Sequence, residues 1–212
     1  MSGRPEPRLR GVVHQYAFFA TIVVGLVLIV AVHGRRERLA LAIYVAAAAA
    51  MLGASALYHR APWRSASVRM RARRVDHSMI FVFIAATYTA FALLAFTGLV
   101  RVFVLAFAWA GALLGILLQV LGAHAPRWSS ALVYLAVGWA GVLALPQVFS
   151  GHGPAPVLLI VAGGALYSLG ALAYALAWPD PFPTTFGYHE IFHVLVVGAV
   201  TAQLGALLLL VL

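Results

Sequence analysis

Seven predominantly apolar stretches follow one another along the chain, near 12–33, 39–59, 77–99, 101–123, 130–150, 155–177 and 187–212. Each has about the 20 residues that an α-helix needs to cross the hydrocarbon core of a bilayer. A helix also pairs its own backbone polar groups, which find no water at that depth. The connections are short and carry turn formers: GRRER at 34–38, an arginine-rich loop at 60–75, APR at 125–127, GHGP at 151–154 and WPDPFP at 178–183. The expectation is an all-α integral membrane bundle of seven transmembrane helices, with residues 1–212 as a single domain. The first stretch is too long for a signal-peptide core and lacks a small-residue cleavage site after it, so it reads as a retained helix.

Composition narrows the function classes. Of the 212 residues 64% are hydrophobic and 9% charged, and the mean hydropathy is +1.01. A soluble domain could not solvate such an exterior. Without cysteine there is no disulfide and no thiolate ligand, so a metal site must come from the eight histidines and five carboxylates. All 14 basic residues are arginines, and the net charge is +9. Arg60, Arg64, Arg69, Arg71, Arg73 and Arg74 form a basic run without the interleaved aromatic residues of a base-stacking surface, which argues against nucleic acid. The run reads as a topology determinant, with attraction to anionic headgroups as a secondary role. Ten of the 14 arginines fall on the side of the N-terminus and four on the other. That excess places the N-terminus in the cytoplasm and the C-terminus outside, in a plasma-membrane protein.

Ionisable groups inside spans are costly unless paired, hydrated or metal-bound, and so mark functional candidates. His59 ends the second span, Asp76 and His77 open the third, His189, Glu190 and His193 open the seventh, and His14 opens the first. By parity of crossings, all seven groups lie at the same membrane face. His189 and His193 are one helical turn apart and share a helix face, so both imidazoles can reach one metal ion. The His-Glu-x-x-His pattern at 189–193 is also how many soluble zinc proteases build their site. Those enzymes find a further ligand downstream, but no His, Asp or Glu follows His193. The third donor therefore lies upstream, and His59 is the best candidate by depth and type. Asp76 is placed to hold or deprotonate a metal-activated water, its rival role being to cap the third span or pair with a loop arginine. Ser55, one turn before His59, could orient the imidazole or the water, or bond back to its own helix.

The Ser-x-x-x-His of SALYH (55–59), the aspartate of VDHSMIFVFIAATYTAF (75–91) and the His-x-x-x-His of HEIFHVLVVGA (189–199) together resemble the hemolysin III branch of the progestin and adipoQ receptor family. The likeness covers nearly the whole chain. It implies a seven-helix bundle with zinc bound by His59, His189 and His193 near the cytoplasmic face, and Asp76 and Ser55 beside it. It also implies kinship with membrane hydrolases of amide or ester bonds, the adiponectin receptors looking like ceramidases. In that family the residue after the first histidine of the last span need not be acidic, so Glu190 is not expected to be a protease-type base. Relatives often carry an acidic and an amide residue before the first-span histidine, whereas PRLRGVVHQYAF supplies only His14 and Gln15.

Two functional classes follow. One is a zinc-dependent integral membrane hydrolase, with Zn2+ as cofactor and a lipid amide or ester as substrate. The other is a non-enzymatic sensor, receptor or hemolysin-like cytolytic protein with structural zinc. A pore is disfavoured, because no span shows a polar stripe. His33, His124 and His152 read as solvated, Tyr58, Trp63, Trp128 and Trp178 as interfacial belt residues, and AAAAAMLGASA (46–56) and VAGGALYSLGALAYA (161–175) as small-residue packing faces.

Overall fold

The computed structural model describes residues 7–121 and 127–211; His124 lies outside them. Its helices are α1 (Val12–Ala31), α2 (Arg35–Arg60), α3 (Ala66–Leu94), α4 (Gly98–Val120), α5 (Arg127–Gly138), α6 (Leu145–His152), α7 (Pro154–Leu176) and α8 (Tyr188–Val211), with a 3-10 segment, Trp139–Ala144, joining α5 to α6. Among the described residues seven helical stretches are long and apolar enough to cross a membrane, the fifth running from Ala131 to His152 through the 3-10 segment. The molecule is a seven-helix membrane bundle.

Consecutive helices pack as antiparallel pairs, α1 on α2, α2 on α3, α3 on α4 and α7 on α8. Short connections leave them little else to do. The last helix closes the bundle, since α8 touches α1, α2 and α3 as well as α7. Burial follows from this arrangement. Leu41, Leu52, Ala85, Ala90, Ala199, Ala206 and Leu207 are inaccessible on α2, α3 and α8, whereas Phe19, Val27 and Val30 of α1 and Leu113 and Leu117 of α4 are exposed. In a bilayer those outer side chains meet acyl tails, which is their preferred surroundings.

Two features differ from the sequence expectation. The arginine-rich stretch expected as a loop is helical from Ala66 onward, so Asp76 sits in the third turn of α3 rather than at its start. Arginine is a good helix former, and a spanning helix can extend past the hydrocarbon into the headgroup layer. The fifth span is broken. Pro146 has no N–H and its ring excludes a normal α-turn behind it, and the chain crosses Trp139–Ala144 as a 3-10 helix. The Tyr88 side chain of α3 inserts at the break: its hydroxyl donates to the Gly138 carbonyl and accepts from the Gly141 N–H at 3.0 Å. One side chain thereby adds a donor and an acceptor to the backbone where the helix changes its hydrogen-bond pattern.

Candidate metal centre and cavity

Four helices deliver the candidate residues to one end of the bundle. His14 comes from α1, Ser55 and His59 from α2, Asp76 and His77 from α3, and His189, Glu190 and His193 from α8. Helical periodicity does the local work: Ser55 and His59 are four apart, as are His189 and His193, so each pair projects from one face. His59, His189 and His193 each offer a ring nitrogen, and the three nitrogens lie within 4.8 Å of one another. The Nε2 atoms of His59 and His189 are 3.2 Å apart. Two ligands at 2.0–2.1 Å on a tetrahedral ion are separated by about 3.3 Å, so this pair already stands at ligand spacing. The buried Nδ1 of His193 has no hydrogen-bond partner. The donor set therefore fits a divalent metal ion.

Asp76 places Oδ2 3.9 Å from His59 Nε2 and 3.8 Å from His77 Nδ1, and its carboxylate faces the Ser55 hydroxyl. The Ser55 oxygen is also 2.8 Å from His14 Nδ1. With Asp76 ionised its carboxylate only accepts, so in that state the single Ser55 proton goes to Asp76 and His14 donates from Nδ1. A relay thus runs from His14 through Ser55 to Asp76. The His14 ring stacks on His193 with centroids 3.8 Å apart. His77 turns back on its own helix, with Nδ1 2.9 Å from the Arg73 carbonyl. As a carbonyl cannot donate, Nδ1 carries the proton and His77 is bound to α3 rather than to the histidine cluster.

Glu190 has a different environment from the other acidic group. It is inaccessible to solvent, takes a hydrogen bond from Arg10 Nε at 2.6 Å and another from the Gly187 N–H at 2.8 Å. The second bond is half of a capping box at the start of α8. Both oxygens are engaged, and the carboxylate is bound to the N-terminal segment. That segment is itself fastened, because the Arg8 and Leu9 amides donate to the Thr184 and Thr185 carbonyls at 3.0 and 3.1 Å. Gly11 then turns the chain into α1 with φ +76°, and a Cβ there would stand 2.5 Å from the His59 Cβ. A left-handed turn packed on a histidine of the cluster admits only glycine. His33 and His152 are exposed and remote from the cluster.

A cavity of about 170 Å³ opens from the cluster into the bundle. Its near end is formed by His14, Ser55, Asp76, His77, His189 and His193. Its wall continues along α3, α7 and α8, mainly with apolar groups such as Ile84, Ala171 and Val196, and reaches Tyr167 and Gln203. Gln203 was not singled out in the sequence, and Tyr167 was read as part of a packing face. The available signal was an amide side chain in the mostly apolar stretch that follows His193.

A multi-pass helical membrane protein, with a three-histidine cluster at the mouth of an internal cavity, is the class that fold and geometry define. The family model described as Haemolysin-III related matches residues 3–204, and the chain belongs to that family. It is 34% identical over 130 residues to a protein named Hemolysin-3 homolog from Bacillus subtilis (strain 168), a stretch covering 61% of this chain and 58% of that one. It is also 34% identical over 128 residues to Hemolysin-3 from Bacillus cereus, covering 58% of this chain and 54% of that one. The matched stretch thus spans little more than half the length of these relatives.

Proposed function

We propose that this protein is a zinc-dependent hydrolase of the membrane, cleaving an amide or ester bond of a lipid that enters from the bilayer. The observation that carries this reading is the meeting of three imidazoles and a carboxylate at one end of a mainly apolar cavity. Three imidazole donors without thiolate suit zinc among the common divalent ions. Bound by His59, His189 and His193, the ion would act as a Lewis acid toward a carbonyl and make a water acidic near neutral pH.

The chain's own groups divide the remaining work. Asp76, beside His59, takes the proton of the attacking water. Ser55 donates to that carboxylate and fixes its orientation, while His14 holds Ser55 in turn. The cavity wall receives the acyl chain and keeps bulk water from the reacting bond. Glu190 fastens the N-terminal segment to α8 and takes no part in proton transfer. The protein sits in the plasma membrane with its N-terminus in the cytoplasm, so the site opens near the cytoplasmic leaflet.

The test is elemental analysis of detergent-purified protein beside a His59→Ala/His193→Ala variant, followed by incubation with panels of lipid amides and esters. About one zinc per chain is expected, lost in the variant, with fatty acid released by wild type only. Zinc-free wild type would overturn the metal site. Zinc-loaded wild type that releases no fatty acid from either panel would overturn the hydrolase.

A further inference from the structure

The far end of the cavity carries a second set of polar groups that the hydrolase reading does not use. The Tyr167 hydroxyl and Gln203 Oε1 are buried without a hydrogen-bond partner, and both residues line the cavity. Gln203 Nε2 donates to the Ile160 carbonyl of α7 at 3.2 Å. Since that carbonyl only accepts, the amide orientation is fixed and its oxygen is the free atom. Gly163 admits the arrangement, because a Cβ there would stand 2.8 Å from Gln203 Nε2. Ile160, Gly163 and Tyr167 recur at helical spacing on α7, so the phenol projects from the face against which the amide is seated.

We propose that this end of the cavity is a binding station for the hydroxyl group of a long-chain alcohol. A hydroxyl both donates and accepts: it gives its proton to Gln203 Oε1 and takes one from the Tyr167 phenol. Both otherwise unpaired atoms are satisfied by a single oxygen. A charged group does not fit, because the carboxylate and imidazoles that line the cavity lie at the other end, and an unpaired ion at this depth is strongly disfavoured. An alkyl chain suits the wall between the two ends. Gln203 follows His193 by ten residues, or roughly 15 Å along α8, so a chain anchored here by its hydroxyl extends toward the histidine cluster. The station stands independently of metal binding and of hydrolysis.

The experiment is photolabelling of the full-length protein in detergent with two diazirine probes of equal chain length, one a primary alcohol and the other the matching alkane. Labelled peptides are mapped by mass spectrometry. The alcohol is expected to label cavity residues of α7 and α8 about tenfold more efficiently than the alkane, and unlabelled alcohol to compete. Tyr167→Phe and Gln203→Met should each reduce that preference, and together abolish it. Tyr167→Phe removes only an unpaired polar atom and should not lower the Tm of the unlabelled protein, whereas Gln203→Met also removes the bond to the Ile160 carbonyl and should lower it slightly. Equal cavity labelling by the two wild-type samples, or labelling confined to lipid-facing residues, would overturn the proposal without recourse to any variant. A preference that survives in the double variant would also overturn it.

Discussion

His14 lies nearly parallel to His193, with ring planes 16° apart, and its Nδ1 is held by Ser55 at 2.8 Å. It lies outside the three-histidine cluster, yet it restricts the plane in which His193 can turn. Groups that orient a metal ligand typically contribute 10–100-fold to metal affinity. His14→Ala is therefore expected to weaken zinc binding by about that range, measured by chelator competition. His14→Phe keeps the stack and loses only the Ser55 bond, so it should recover most of the affinity. Equal loss in both variants would assign the effect to the hydrogen bond instead.

Arg10 and Glu190 form an ion pair across 180 residues of sequence, the carboxylate inaccessible and the guanidinium mostly covered. Removing one partner leaves the other charge unpaired, at a typical penalty of about 3–5 kcal/mol. Arg10→Ala should lower unfolding stability in detergent by that order. Glu190→Gln keeps the shape, and should destabilise the protein while leaving zinc content and turnover per folded molecule unchanged. Loss of turnover in folded, zinc-loaded Glu190→Gln would return Glu190 to the chemistry as a protease-type base.

The sequence made some of this legible and concealed the rest for physical reasons. Spans are local properties of about 20 residues, so apolar runs located them. The four-residue spacing set His189 and His193 on one face, and parity of crossings brought His14, His59 and Asp76 to the same depth. Parity gives depth but no azimuth. It did not separate His77, which bonds to its own helix, from Asp76, which faces Ser55 and His59. The partner of Glu190 was illegible because Arg10 sits in a segment outside every span and was counted only as a topology charge. Pro146 was a visible sign of the broken fifth span, but its consequence depends on Tyr88, 58 residues earlier. The polar end of the cavity was concealed because it takes two helices to bring Tyr167 and Gln203 to one cavity wall.

Asp76 and Ser55 are separable by their expected effects. Asp76→Asn keeps the shape of the side chain and removes its ability to take a proton, so zinc content should persist while kcat falls by about 10²–10⁴. Ser55→Ala leaves Asp76 ionisable but poorly oriented, and a smaller fall is expected. Full turnover in Asp76→Asn would remove the carboxylate from the mechanism. Zinc lost from either variant would show that these side chains support the metal rather than the proton transfer.

The Tyr88 hydroxyl provides a test remote from the candidate site. It pairs with the Gly138 carbonyl and with the Gly141 N–H at 3.0 Å, and Val137 O lies at 3.3 Å. Tyr88→Phe preserves the ring against α5 and the 3-10 segment but removes the hydroxyl from these backbone groups in a region that excludes water. Each buried hydrogen bond lost costs about 0.5–1.5 kcal/mol, and the i→i+3 bonds of the 3-10 segment limit the loss to that order. A loss of about 1–3 kcal/mol in total is expected from denaturant unfolding, with zinc content unchanged because His59, His189 and His193 lie on α2 and α8. An unaltered midpoint would mean that the irregular segment satisfies its own backbone, and that the break does not depend on a side chain from α3.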